Sequence, residues 1–398
     1  MLPAGLDRKS IVLLRVNGNP DPLADSLGGH GKLESWELGQ MEYQADSFIV
    51  RRGQEPLLIR STDGLSPHES TAPGAAVVAL GLDEAYAWPG AVVLASLGTT
   101  GGMGRGTGTV FVCFEELSRD SVRMLQRVAA GLELNLSFIE TRIPRGLPAS
   151  DHVSCATYLR LAIPDALATE PSFLYFDADI LAVSDIRPLL DVDLKGLPVG
   201  AVRDLYNPLL RLGQGLPGYH QLGLRGDREY FNGGVMKVDV ALFREMQIAE
   251  RSQEFLLRFP QHVRFSDQCA LNWAVADQWV RLPLKWNALT ISVMEDLQQY
   301  AGEEVLPWGH ALAVERSAAI LHFAGSRKPW LPGFREGEAL SRYRQYSQVV
   351  EALLRRPRKA PRDVRVPPLG DGSGAGLALL PTLVPTAVKP PLRRRGGP

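Results

Sequence analysis

The chain has 398 residues, 45% of them apolar, and carries 43 Lys and Arg against 44 Asp and Glu. That length allows one large domain or two ordinary ones with a sizeable core, and a net charge of −1 excludes nucleic-acid binding as a global property. The three cysteines, Cys113, Cys155 and Cys269, are scattered, so neither a thiolate metal cluster nor a disulfide framework is expected, in keeping with a reducing compartment.

The first residues, Met1-Leu-Pro-Ala-Gly-Leu-Asp-Arg-Lys, lack the apolar stretch of a secretory leader. No uncharged apolar run reaches the ~18–20 residues of a spanning helix, so a cytoplasmic protein is expected. Residues 1–73 read as an extension of unknown role, β-rich or irregular. Short strands are expected at 11–16, 47–50 and 57–60, with a loop at Gly28-Gly29-His30-Gly31.

From Gly74 the pattern changes. Residues 75–80 form an apolar strand, 81–86 a turn, and 89–97 a buried helix opened by Pro89. The glycine-rich run 99–108 lacks the Gly-Lys-Ser/Thr ending of a phosphate-binding loop and reads as a connector. A strand at 109–114 comes next. Residues 119–132 are helical, with Val122, Leu125, Val128, Ala129 and Leu132 on one face. A strand at 136–139 precedes a helix over 158–168, in which Pro164 should mark a boundary or kink. Strands alternating with helices indicate an α/β fold with a mostly parallel sheet. Ligands in such sheets bind beyond the carboxyl ends of strands, where Asp83 and the pair Asp177/Asp179 fall.

That pair ends the run Phe173-Leu-Tyr-Phe-Asp-Ala-Asp-Ile180. In extended chain the two carboxylates leave one face about 6.6 Å apart. Like charges at the end of a buried strand repel and lose hydration. A divalent cation relieves both penalties; the other reading is a pair of loop carboxylates that cap the next element of the chain. Three later segments bear on the choice. In Tyr230-Phe-Asn-Gly-Gly-Val-Met-Lys-Val-Asp239, Asn232 and two glycines open an apolar strand, allowing close approach to the backbone. In Phe265-Ser-Asp-Gln-Cys-Ala-Leu-Asn-Trp273, Ser266 would cap a helix with Asp267 and Gln268 in its first turn and Leu271 and Trp273 facing inward. In Ile320-Leu-His-Phe-Ala-Gly-Ser-Arg-Lys-Pro-Trp330, a strand delivers His322 to a glycine turn holding Arg327 and Lys328, which suits an anion. Two carboxylates and a histidine could hold a cation, and the cation with Lys328 a diphosphate. Without the metal, each phosphate–carboxylate pair at ~4 Å would repel by roughly 4 kcal/mol at an effective dielectric of about 20. Oxygen and single-imidazole ligation without thiolate suits Mn²⁺ or Mg²⁺.

On these motifs, from about Gly74 to Trp330, the chain resembles the retaining glycosyltransferases of family 8, which include glycogenin and bacterial lipopolysaccharide galactosyl- and glucosyltransferases. The resemblance implies the GT-A fold and metal-dependent transfer of galactose or glucose from a UDP-sugar donor to an acceptor hydroxyl. It implies that Asp83 and Tyr86 hold the uracil and ribose, although Ala85 stands where the family usually has asparagine. His152 and Arg160 match a histidine and a Tyr-x-Arg element, Arg160 on the sugar donor. Asp177, Asp179 and His322 match the metal ligands. Asp204 resembles an acid that grips sugar hydroxyls, and Asn232 with Gly233 the sugar-facing turn. Asp267 and Gln268 flank the anomeric carbon, while Gly325 and Lys328 clamp the diphosphate. A sugar-phosphate nucleotidyltransferase and a non-catalytic nucleotide-sugar-binding subunit are the alternatives. Residues 74–350 would form this domain. Residues 351–398 form a basic Pro/Gly-rich tail, expected to be disordered, which could touch an anionic membrane. Residues 207–227 are the expected acceptor-selecting loop.

Overall fold

The computed structural model of the chain describes residues 76–355 except 144–145, 149–154 and 294–300, together with two short strands nearer the N-terminus. Those strands, β1 (Met41–Gln44) and β2 (Ser47–Val50), pair antiparallel with Met41 opposite Val50. The expected strands at 11–16 and 57–60, the loop at 28–31 and the basic tail lie outside the described residues. Among the described residues, no helix is long and apolar enough to cross a membrane.

β3 (Ala76–Leu82) is apolar along its length and buried on both faces, as a central parallel strand must be. Asp83 then caps a 3-10 turn over Glu84–Tyr86, its carboxylate accepting from the Tyr86 N–H at 2.9 Å. α1 (Ala87–Thr99) begins two residues ahead of Pro89, which is tolerated because first-turn N–H groups have no intrahelical partner. α1 has no polar face because the central sheet, β7 (Ile180–Ala182) and α9 (Glu338–Arg355) surround it. β4 (Gly108–Phe114), α2 (Arg119–Gly131), β5 (Asn135–Glu140), α3 (Leu159–Ala166) and β6 (Ser172–Phe176) match the expected alternation. Pro164 lies inside α3, which ends two residues later.

The remaining elements are α4 (Arg187–Leu190), β8 (Val199–Arg203), β9 (Phe231–Asp239), α5 (Val240–Glu245), α6 (Ile248–Arg258), α7 (Ser266–Val275), β10 (Trp279–Arg281), β11 (Ala288–Leu289), α8 (Trp308–Arg316) and β12 (Ile320–His322). α9 continues across the expected boundary at 350 because Val350 is fully buried and Leu353 and Leu354 pack on the same core.

The central sheet runs β10-β8-β9-β6-β3-β4-β5. Every neighbouring pair is parallel except the two that β9 makes with β6 and β8. One apolar core, with α1, α2 and α9, covers one face; a second, with α3, α5, α6 and α7, covers the other. Because β9 runs backwards, its start meets the carboxyl ends of β3, β6 and β8 at one edge. A small sheet, β11-β12-β7, brings His322 opposite Ile180 at the same place. This is the GT-A arrangement: an α/β sheet flanked by helices, with its polar groups gathered at one edge.

One local expectation fails. Ser266 does not cap α7 but is its first residue, at φ 43°. The Cys269 thiol takes the capping part, accepting from the Arg264 and Phe265 N–H groups at 3.4 and 3.2 Å. Leu271 is fully buried, whereas Trp273 is half-buried, stacked on Phe255 with Arg251 against its ring.

Candidate active site

Strand β6 ends by handing its backbone to β9: the Asp177 N–H donates to the Gly234 carbonyl at 2.8 Å. This pairing sets Asp177 and Asp179 against the start of β9. The Asp179 carbonyl in turn accepts from the Phe323 N–H at 2.9 Å, which docks β12 and its His322. Asp177, Asp179 and His322 thereby place one ligand atom each within 4.8 Å of one another. His322 Nε2 lies 3.2 Å from Asp179 Oδ1 and 3.9 Å from Asp177 Oδ2. All three side chains are largely withdrawn from solvent. Gly234 makes the approach of His322 feasible, since a Cβ there would lie 2.3 Å from its Cε1.

Asp179 also accepts from the Lys328 ammonium, which donates to the Phe323 carbonyl at 2.8 Å as well. Burial alone would raise the Asp179 pKa, but Lys328 and His322 outweigh it and hold the carboxyl well below the usual range. Lys328 reaches inward from the turn at Gly325, whose φ of 85° favours glycine. Trp330 closes the turn, its ring 5.9 Å from the Lys328 ammonium and edge-on to Tyr86 at 5.6 Å. Asp83 and Tyr86 therefore stand at the same edge as the acidic pair. Burial, then the charges of Asp179, Asp177 and Asp83, raise the Tyr86 phenol above its ordinary range. Ala85 is exposed beside it.

Arg160 is buried beneath the pair. It donates to Asp177 Oδ1 at 2.8 Å and to the Gly233 carbonyl at 2.7 Å, and its ring-side neighbour is Tyr175, 4.7 Å away. Its Nε lies 2.7 Å from Asp267 Oδ2, although that N–H points at the Thr157 carbonyl at 3.2 Å. Asp267 Oδ2 is thus beside a cation without an aligned hydrogen bond. Burial pushes the Asp267 carboxyl up to about 6, against the pull of Arg160 and of the Thr157 hydroxyl. For Arg160 the balance is reversed: burial opposes its charge, and Asp177 and Asp267 more than restore it.

The Gln268 side chain bridges the Gly233 N–H, which donates to its Oε1 at 3.0 Å, and Asp204, which accepts from its Nε2 at 3.3 Å. Asp204 is buried and engages both oxygens inside the protein: Oδ1 with the N–H groups of Tyr206 (2.7 Å) and Asn207 (2.8 Å), Oδ2 with Gln268 and with Asn232 Nδ2 (2.8 Å). Every expected site residue that the structure describes lies in this one constellation; His152 lies outside the described residues.

Sequence reasoning passed over four members. Tyr175 donates to Asp177 Oδ1 at 2.8 Å; two residues before Asp177 on a strand, it shares that face, and the period of two could have found it. Thr157 donates to Asp267. Asn272 clamps the strand through the Phe231 N–H and carbonyl at 2.8 and 2.9 Å. Asn287, almost fully buried, joins Asn232 to His322.

A family model for glycosyl transferase family 8 matches residues 77–332, well over half of the chain. General stress protein A of Bacillus subtilis is 28% identical over 221 residues, covering 53% of this chain and 72% of its own. Glycosyltransferase GlyF of Streptococcus pneumoniae is 28% identical over 180 residues, 45% of this chain and 38% of its own. A lipopolysaccharide 1,2-glucosyltransferase of Escherichia coli is 25% identical over 200 residues, 50% of this chain and 56% of its own. Among solved structures, galactosyltransferase LgtC in complex with donor and acceptor sugar analogues aligns over 71% of this chain and 98% of its own, with a TM-score of 0.55 and 22% identity. An active-site mutant of LgtC aligns over the same shares at a TM-score of 0.57 and 21% identity. Fold, order of motifs and family model agree, and the chain belongs to glycosyltransferase family 8.

Proposed function

We propose that this glycosyltransferase moves a hexose, galactose or glucose, from a UDP-sugar to an acceptor hydroxyl with retention, and that it depends on a divalent cation. The observation that carries the proposal is the convergence of Asp177, Asp179 and His322 within 4.8 Å beside Lys328. Two carboxylates and an imidazole nitrogen facing one another are stable together when a cation lies among them. An oxygen-rich set with one imidazole fits Mn²⁺ or Mg²⁺. When bound, the cation would supply Lewis-acid stabilisation of the UDP leaving group.

The chain's own groups would do the rest. Asp83 and Tyr86 would hold uracil and ribose at the end of β3. Gly325 would let phosphate oxygens approach the backbone of the turn, and Lys328 would donate to the diphosphate as negative charge develops there. Asp267, Gln268, Asn232 and Gly233 would face the sugar. Arg160 and Asp204, both buried and fully engaged, are positioning residues in this reading. Asp267 has an elevated pKa and is hemmed in by Arg160 and Thr157, which supports same-face attack over a double displacement through that carboxylate. The segment 207–227 lies against the start of α7 through Arg264–Gln214 and the Cys269 contact to the Gly215 carbonyl. It would therefore select the acceptor beside Gln268. Residues 355–365 and 393–395 would add contact with an anionic membrane surface, which co-sedimentation of full-length and tail-deleted protein with anionic vesicles tests.

The test of the main reading is UDP release from UDP-glucose and UDP-galactose, with and without Mn²⁺ or Mg²⁺. Turnover should require the metal and vanish in Asp179→Asn. Metal-independent turnover would overturn the cation, and turnover only with another nucleotide-sugar would overturn the donor.

A further inference from the structure

Four buried side chains from four separate elements form one unbroken line of hydrogen bonds. Asp204 comes directly after β8, Asn232 lies in β9, Asn287 precedes β11 and His322 ends β12. The contacts are Asn232 Nδ2 to Asp204 Oδ2 at 2.8 Å, Asn287 Nδ2 to Asn232 Oδ1 at 2.9 Å, and His322 Nδ1 to Asn287 Oδ1 at 2.8 Å. All four residues are 6% exposed or less, so water does not offer ready substitutes.

The direction of this line is set at two points by groups that cannot reverse. An ionised carboxylate only accepts, so Asn232 must turn its NH₂ towards Asp204. A backbone N–H only donates, and that of Gly234 meets Asn232 on its other side, at Oδ1, 2.9 Å away. Both anchors give Asn232 the same orientation. Its carbonyl then takes the NH₂ of Asn287, which leaves the Asn287 carbonyl facing the imidazole. Against a carbonyl, Nδ1 must carry a proton.

We infer that Asn287 is a positioning residue: with Asp204 and Asn232 behind it, it holds His322 with the proton on Nδ1 and leaves Nε2 to face Asp177 and Asp179. The ring has its own reasons to do the opposite. Two carboxylate oxygens lie 3.2 and 3.9 Å from Nε2 and would draw a proton to that nitrogen. Asn287 opposes that draw, and a nitrogen kept free of a proton is the one that can ligate a cation. The role of Asn287 in cation binding rests on the proposed metal dependence; the proton on Nδ1 does not.

The test has two arms. In metal-free, ¹⁵N-histidine-labelled protein at about pH 8, above the range in which an ordinary imidazole titrates, ring ¹⁵N shifts report which nitrogen is protonated. The His322 signals are assigned by their loss in His322→Gln. Wild type and Asn287→Asp, which keeps an acceptor for Nδ1, should both show a protonated Nδ1. Asn287→Leu should lose that preference. In the second arm, the EPR signal of free Mn²⁺ is titrated in the presence of UDP. Asn287→Leu should weaken Mn²⁺ by about 10–100-fold, the usual cost of losing an outer partner of a metal-ligating histidine; Asn287→Asp should recover most of it. An unprotonated Nδ1 in wild type would overturn the inference, as would wild-type tautomer and Mn²⁺ affinity in Asn287→Leu. If Asn287→Leu does not fold, Asn287→Ala, which removes the same acceptor, takes its place in both arms with the same expected losses. Should wild type bind no Mn²⁺, the metal dependence fails while the first arm still decides the tautomer.

Discussion

Arg160 offers the most direct measurement of how the site is held together. Its guanidinium touches Asp177 at 2.8 Å and lies 2.7 Å from Asp267 Oδ2, with all three side chains largely withdrawn from solvent. With charge centres ~4 Å apart and an effective dielectric of about 20, each pair contributes roughly 4 kcal/mol of attraction. Burying the guanidinium costs several kcal/mol of that. Removing Arg160 leaves both carboxylates without their counter-charge, and the expected net loss for Arg160→Met is about 3–5 kcal/mol. Denaturant unfolding at neutral pH measures it as a fall in midpoint at constant slope. In Asp267→Asn the same replacement should cost about 1–3 kcal/mol less, because one of the two stranded charges is already gone. Arg160→Lys should recover little, since one ammonium cannot span Asp177, the Gly233 carbonyl and the Thr157 backbone as the planar fork does. A loss below about 1 kcal/mol for Arg160→Met, or additive effects of Arg160→Met and Asp267→Asn, would refute the claim that this arginine is the electrostatic keystone of the acidic cluster.

Three further outcomes are expected from the same geometry. Burial holds Asp267 at about 6 in the folded chain, above the ~3.9 of an unfolded aspartate; the folded state therefore binds more protons between those values. Its contribution falls as pH rises from about 4 to 6, by up to ~3 kcal/mol, and Asp267→Asn should remove that part of the pH–stability slope. Gly234→Ala puts a Cβ 2.3 Å from His322 Cε1, so it should cost about 1–3 kcal/mol by the strain of overpacking, read as a lowered unfolding midpoint, and should weaken Mn²⁺ as measured by EPR. Trp330→Ala removes the edge contact to Tyr86 and the ring beside Lys328; at about 0.5–1.5 kcal/mol for such an aromatic contact, calorimetry should find UDP bound roughly 2–10-fold more weakly.

How much of this could be read in the sequence depends on whether a signal is local. β3, β4 and β6 are short apolar runs bounded by turns, and α2 carries its apolar positions at helical spacing, so their places were legible. Ser266 shows where local rules fail. A serine ahead of a helix reads as a cap, yet the Cys269 thiol, one turn further on, accepts the N–H groups, and Ser266 enters the helix at positive φ. Pro164, expected as a boundary or kink, sits within α3, two residues before its end.

The site divides along the same line. Asp177 and Asp179 are legible because one residue separates them, and Lys328 because it lies just beyond a glycine turn, six residues after His322. Asn287 was not legible: it comes after Trp286 in a stretch with little charge, 35 residues from His322 and 55 from Asn232. Its meaning exists only once β9, β11 and β12 are brought together. Asp204 shows the same effect from the other side. As a sequence feature it resembles an acid that would grip the sugar, and its position at the end of β8 permits that. In the fold, two backbone N–H groups and three side-chain amides claim both of its oxygens. A buried carboxylate so fully donated to has little left for a ligand, but it can dictate which way its donors point. Gln268 on one side and Asn232 on the other are oriented by it, so the two ends of the site, the one proposed for the sugar and the one proposed for the metal, share a single acceptor. Asp204→Asn, which adds a donor where only an acceptor fits, should therefore disturb both ends together, where a residue that merely touched the sugar would disturb one.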